Sequence, residues 1–133
     1  TLITGTAGNT GTQSLAVAIR KIGLHEEEQS FWKVLVQEGT TGLGIGLISG
    51  VMVFGIVSLW HGSLVLGGII GFAMFASIFV AALTGTCIPF ALDKFNFDPS
   101  IASGPFITTV NDLTSVLVYF TIVSQFISVY LAK

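Results

Sequence analysis

Charge is what this sequence has least of. Asp, Glu, Lys and Arg make up 9% of the 133 residues, where a soluble domain carries about a quarter. Residues 39–92 contain none of the four. A surface so poor in charge argues against a water-exposed globule. A bilayer-spanning helix needs about 20 predominantly apolar residues, so 39–92 is long enough for two spans and a turn. The net charge of −2 is too small to argue for nucleic acid or an acidic partner. Cysteine is almost absent: Cys87 stands alone, which excludes an internal disulfide and a cysteine metal cluster. The opening Thr1-Leu2-Ile3-Thr4 has neither Met nor a basic stretch, so no signal peptide is expected and the sequence reads as an excerpt of a longer protein. No nucleophile–base pair or metal cluster suggests an enzyme.

What is present is hydrophobic and helical in pattern. The expectation is an all-α membrane protein: a helical bundle of three complete transmembrane helices plus the end of a preceding, pore-lining helix. Residues 1–22 read as that helix end. Its first half is small and polar (Gly5, Thr6, Gly8, Asn9, Thr10, Gly11, Thr12, Gln13), and its second half is apolar and closes on Arg20 and Lys21. Such a segment is too polar to face lipid and belongs against protein or a watery cavity. Residues 23–38 read as a charged connector, with Trp32 beside Lys33 as an interfacial anchor. Full spans are expected at 39–60, 64–92 and 100–132, with a polar loop at 93–99 ending in Pro99, a natural helix start.

Small residues recur every fourth position in two of these spans: Gly42, Gly46 and Gly50, then Ala73, Ser77, Ala81 and Gly85. Residues four apart share a helix face, and small ones let two membrane helices approach closely; helix packing is the expected use. Arg20, Lys21, Lys33 and Lys94 all fall in the two connectors. The positive-inside rule makes those connectors cytoplasmic and the C-terminus extracytoplasmic.

One residue does not belong. Asp112 lies thirteen positions past Pro99, about 20 Å along a helix and inside the hydrocarbon zone. An ionised Asp there is costly unless it faces protein, water or an ion. Gly104, Thr108, Thr109 and Ser115 fall on its face, Asn111 adjoins it, and Val110, Leu117 and Phe120 fill the opposite side. That is the pattern of a lining face; the other reading is a protonated or hydrogen-bonded Asp that joins helices. The segment 5–13 lacks the Gly-Lys-Ser/Thr ending and preceding strand of a phosphate loop. Either it offers backbone carbonyls, Asn9 and Gln13 to the same cavity, oxygen ligands suited to a hard cation such as Mg²⁺ or Ca²⁺, or its glycines serve tight packing. His25 and His61 are isolated, and Glu26, Glu27 and Glu28 read as a solvated connector, with a cytosolic domain or a regulatory divalent ion as the sharper alternative. Glu38 is a candidate second cation contact at the cytoplasmic mouth; the plainer reading is a Glu resting at the interface.

The run Gly8-Asn9-Thr10-Gly11-Thr12-Gln13-Ser14 with Arg20 resembles the second transmembrane helix of the MgtE magnesium channels. The run Asp98-Pro99-Ser100-Ile101-Ala102-Ser103-Gly104-Pro105, followed by Thr108-Thr109-Val110-Asn111-Asp112, resembles the start of that family's fifth helix. The resemblance implies a homodimer of five-helix subunits in the plasma membrane, with the second and fifth helices lining a cation path along the two-fold axis. It implies Asp112 as the pore carboxylate, with Thr108 and the Gly8 carbonyl as its neighbours at the ion. Thr12 and Gly104 are then pore-lining, with Asn9, Gln13, Thr109 and Asn111 along the same path. Mg²⁺ is the implied bound and transported ion. The family pattern has Asn at the positions of Thr12 and Gly104, so a wider or wetter constriction is expected here. The family's cytosolic regulatory domains lie outside this sequence.

Mg²⁺ sheds water reluctantly and keeps several waters when bound. Two carboxylates across a symmetry axis, ringed by hydroxyls and carbonyls, suit a largely hydrated ion. The expected function is therefore channel-like Mg²⁺ conduction. A proton-coupled divalent cation carrier that titrates Asp112, and a non-conducting membrane assembly module, are the alternatives.

Overall fold

The computed structural model describes residues 1–24 and 30–131. The readings of His25 and of Glu26 to Glu28 lie outside them, as does the terminal Lys133. Every regular element among the described residues is helical: α1 (Leu2–Gly23), α2 (Phe31–His61), α3 (Leu64–Lys94), a short 3-10 turn (Pro99–Ile101) and α4 (Gly104–Leu131). Three of them, α2, α3 and α4, are long and apolar enough to cross a membrane. With α1 they form an all-α membrane bundle.

Two boundaries differ from the sequence reading. Helix α2 begins at Phe31, eight residues before the expected span, because the Ser30 side chain accepts the Trp32 amide (3.4 Å) and caps it there. The amphipathic Phe31-Trp32-Lys33 stretch is thus the first turn of the spanning helix. Trp32 and Trp60, exposed near its two ends, lie about 42 Å apart along the axis, close to the full thickness of a bilayer with its headgroups. Helix α4 begins at Gly104 because Asp98, Pro99 and Pro105 break the region into a capped 3-10 turn and a fresh start.

Helix α3 is the hub. It packs against α2, α1 and α4, while α1 also packs on α4 and barely touches α2. Gly62, in the left-handed conformation (φ 66°), ends α2 and turns the chain into α3, whose first turn is capped by Ser63. The hairpin is zipped by glycine. A Cβ on Gly50 would lie 2.8 Å from the Gly71 carbonyl oxygen, and one on Gly71 would lie 2.6 Å from that of Gly50. The backbones thus touch where a side chain would hold them apart. On the other face of α3, a Cβ on Gly85 would overlap the Gly11 carbonyl of α1. Pro89, buried in α3, has no N–H for the Gly85 carbonyl, a loss that neighbouring helices make tolerable.

The core has two parts. Ala7, Val53, Met74, Ile78 and Ala81 pack at mid-bundle, and Leu15, Ala102 and Ile107 pack toward the connector end with Ile19, Ile88 and Leu92. These contacts run α1 parallel to α3 and α4 antiparallel to both. Arg20, Lys21, Lys33 and Lys94 therefore gather at one end of the bundle.

Candidate functional site

Helices α1 and α4 meet along a seam, and glycine decides what fits there. A Cβ on Gly8 would stand 3.1 Å from Oδ1 of Asp112, so the carboxylate rests on bare helix backbone. Asp112 lies eight residues into α4, about 12 Å from its start, less than the distance expected from Pro99. Its depth is set by the neighbours: Asn111 beside it reaches Thr84, past the midpoint of α3. Asp112 is exposed on the surface of the single chain. At the centre of a spanning helix a bare carboxylate costs at least about 2.5–3.5 kcal/mol. No Lys or Arg occurs between Lys33 and Lys94, or from there to the terminal Lys133, so the interior of the spanning helices supplies no fixed cation to offset it.

Hydroxyls line the same seam. Thr12 donates its hydroxyl to the Gly8 carbonyl (2.8 Å). Thr108 donates to the carbonyls of Gly104 and Pro105 (3.0 Å each), and Thr109 to that of Pro105 (2.8 Å). A threonine that returns its proton to its own helix keeps oxygen lone pairs for whatever lies outside. Asn9 and Gln13, four residues apart on α1, are exposed, while Thr12 and Thr108 are half-buried. Around Gly104 a Cβ would meet nothing within 4 Å. The seam thus presents acceptors, which fit a cation or the outward-pointing protons of its water shell.

Three expectations change. Helix α1 is unbroken from Leu2 to Gly23, so the carbonyls of segment 5–13 run within helical hydrogen bonds, and that of Gly8 also receives Thr12. What Gly8 offers Asp112 in this geometry is room. Asn111 does not line the seam. It is 0% exposed, turned inward, with Oδ1 accepting the Thr84 hydroxyl at 2.6 Å and Nδ2 lodged where a Cβ on Gly11 would be. Ser115 is likewise buried, its carbonyl accepting Ser77 Oγ at 3.3 Å. The polar face read from the sequence therefore divides, with Thr108 and Asp112 at the seam and Asn111 and Ser115 inside. Third, Glu38 is not at an open mouth. It is 5% exposed and lies on the α3-facing row of α2 with Val34 and Gly42, away from the α1–α4 seam. Thr84 escaped the sequence reading, because a lone Thr in an apolar helix carries no mark of its partner.

Among the described residues no three of His, Cys, Asp and Glu converge.

Comparison with known proteins gives the family. The divalent cation transporter family MgtE matches residues 1–122. The "Magnesium transporter MgtE" of Enterococcus faecalis is 52% identical over 126 residues, 94% of this chain. Those of Bacillus subtilis and Thermus thermophilus are 40% and 32% identical over 95% and 91% of it. The chain spans 28% of the length of the first two of these relatives and 27% of the third. With the family matched over most of its length, including both helices of the seam, this chain belongs to the MgtE family of divalent cation transporters.

Proposed function

We propose that this chain is the conducting part of a magnesium transporter of the plasma membrane. In this reading it passes largely hydrated Mg²⁺ down its electrochemical gradient, with Asp112 as the selecting carboxylate. The observation that carries the proposal is the seating of Asp112: a carboxylate about 12 Å into a spanning helix, on the bare backbone of Gly8, at the chain surface, with no Lys or Arg between Lys33 and Lys94 or from there to Lys133. A charge so placed needs a neutralising partner from outside the chain, and a divalent cation is one. That relatives are named magnesium transporters supports Mg²⁺ as the ion.

A second copy completes the site. Asp112 cannot rest against lipid, so protein or water covers the α1–α4 seam. A two-fold axis along the seam brings two Asp112 carboxylates to opposite sides of one path. Thr108, Thr12 and Thr109 supply oxygens above and below, with Asn9 and Gln13 along the walls. The two carboxylates repel unless a cation lies between them, so the pair favours cations over water alone. Glycine at position 104 leaves that part of the path open to an ion that keeps its waters. The connector end, with its four basic residues, faces the cytoplasm.

The test is Mg²⁺ uptake by the complete protein in a host without its own importers. Asp112→Ala and Asp112→Asn should each lower uptake at least tenfold at equal membrane abundance. Wild-type uptake in both variants would overturn the assignment.

A further inference from the structure

The Asn111–Thr84 pair sits beside the proposed site without touching the ion path. Asn111 is wholly buried where α1, α3 and α4 meet. Its Oδ1 accepts the Thr84 hydroxyl at 2.6 Å, while its Nδ2 has no hydrogen-bond partner among the described residues. A half-satisfied amide in a membrane interior is a poor choice for stability, since an apolar residue of similar volume fills the same space without an orphaned donor. Its position indicates what it gains. Neighbouring residues on a helix point about 100° apart. With Asn111 fixed inward on α3, Asp112 must point to the seam with α1.

Two glycines one turn apart on α1 receive the two side chains: Gly11 takes Asn111 and Gly8 takes Asp112. The α1 backbone cannot drift away from α3, because Gly11 and Gly85 are already in backbone contact. One turn further along α4, Ser77 donates to the Ser115 carbonyl at 3.3 Å and repeats the α3–α4 link. A slide of α4 by one residue would break both links and carry Asp112 off Gly8.

We infer that Asn111, held by Thr84 and seated on Gly11, is the positioning residue that sets the register and rotation of α4 and so places the Asp112 carboxylate at the ion path. The inference rests on the reading of Asp112 as the ion-binding carboxylate. It makes Asn111 an orienting group for the ion site and not a pore-lining one.

The experiment measures Mg²⁺ uptake against Mg²⁺ concentration for the complete protein, normalised to assembled protein in the membrane. The variants are Thr84→Val, Thr84→Ser, Asn111→Leu, the Thr84→Val/Asn111→Leu pair and Asp112→Ala. Thr84→Val removes the hydroxyl at nearly constant shape and should raise the half-saturating Mg²⁺ concentration at least threefold, with maximal uptake within twofold of wild type. Thr84→Ser keeps the hydroxyl and should restore wild-type affinity. The double variant should shift affinity no further than Asn111→Leu alone, because both changes break one contact. If Asn111→Leu does not assemble, the two Thr84 variants decide. Wild-type affinity in Thr84→Val, or an effect confined to maximal uptake or to the amount of assembled protein, would overturn the inference. With Asp112→Ala inactive, that result would leave the ion-site reading standing; an active Asp112→Ala would remove both.

Discussion

At the scale of single residues, this chain uses glycine to place polar groups where the membrane disfavours them. Gly8 and Gly11 receive Asp112 and Asn111, and the two contacts differ in severity. Gly8→Ala sets a Cβ 3.1 Å from the free end of a carboxylate, which can swing aside. The expected result is normal assembly with a half-saturating Mg²⁺ concentration raised severalfold in an uptake assay. Gly11→Ala sets a Cβ onto the buried Asn111 amide, which is held by Thr84 and has nowhere to go. Overpacking of this kind costs about 1–3 kcal/mol, and the measurement is a lower melting temperature of the detergent-purified protein. Asp98 offers a test outside the membrane. Hydrogen bonds from the Ser100 side chain and backbone amide hold its carboxyl below the usual carboxylate range, with the amide at 2.9 Å capping the 3-10 turn. The folded value is the lower one, so the cap is present above the ordinary Asp pKa and lost as pH falls through the folded value. Hydrogen exchange at residues 100–102 should quicken, relative to the intrinsic rate, as pH falls through that range. In Asp98→Asn, which keeps a capping oxygen, the pH dependence should vanish.

At the scale of the elements, the sequence was most informative where hydropathy alone decides. A charge-free run of apolar residues broken by Trp60, His61, Gly62 and Ser63 can only be a helical hairpin, and its Gly42, Gly46 and Gly50 row is where α2 touches α3, while Ser77, Ala81 and Gly85 of the α3 row turn to α4 and α1. The start of α2 was harder to read, because the cap that fixes it is a single Ser30 in an otherwise charged stretch. Rotation was harder still. Helical spacing grouped Asn111, Asp112 and Ser115 together, but the face a residue presents depends on which neighbours pack around α4. Those neighbours meet only through contacts distant in sequence, such as Thr84 with Asn111. The glycines sort by the same logic. A Cβ on Gly44 or Gly68 would meet nothing within 4 Å, while Gly46 and Gly71 face Phe75 and the Gly50 carbonyl. Gly44→Ala and Gly68→Ala should be neutral or stabilising by up to about 1 kcal/mol. Gly71→Ala should be destabilising by about 1–3 kcal/mol. Thermal denaturation of these variants beside the wild type checks the division.

At the scale of the whole molecule, the basic residues at one end and the bare Trp60–Ser63 turn at the other give the bundle a direction. In a Cys87→Ser background, Ser63→Cys should react with a membrane-impermeant thiol reagent in intact cells, and Asn96→Cys only after permeabilisation; the reverse would invert the orientation. Membership of a transporter family fits a bundle so apolar with an exposed carboxylate on a spanning helix, and in the proposed reading the α1–α4 seam is where Asp112 meets its cation. The most direct test is Mg²⁺ flux into liposomes carrying the purified complete protein and an internal Mg²⁺ indicator, driven by an imposed membrane potential. Wild-type protein should carry Mg²⁺ in proportion to the inside-negative potential with no proton gradient, and Asp112→Asn should carry almost none. Flux that ignores the potential but follows a proton gradient, or an Asp112→Asn variant that conducts as wild type does, would contradict Asp112 as the carboxylate of a Mg²⁺ channel.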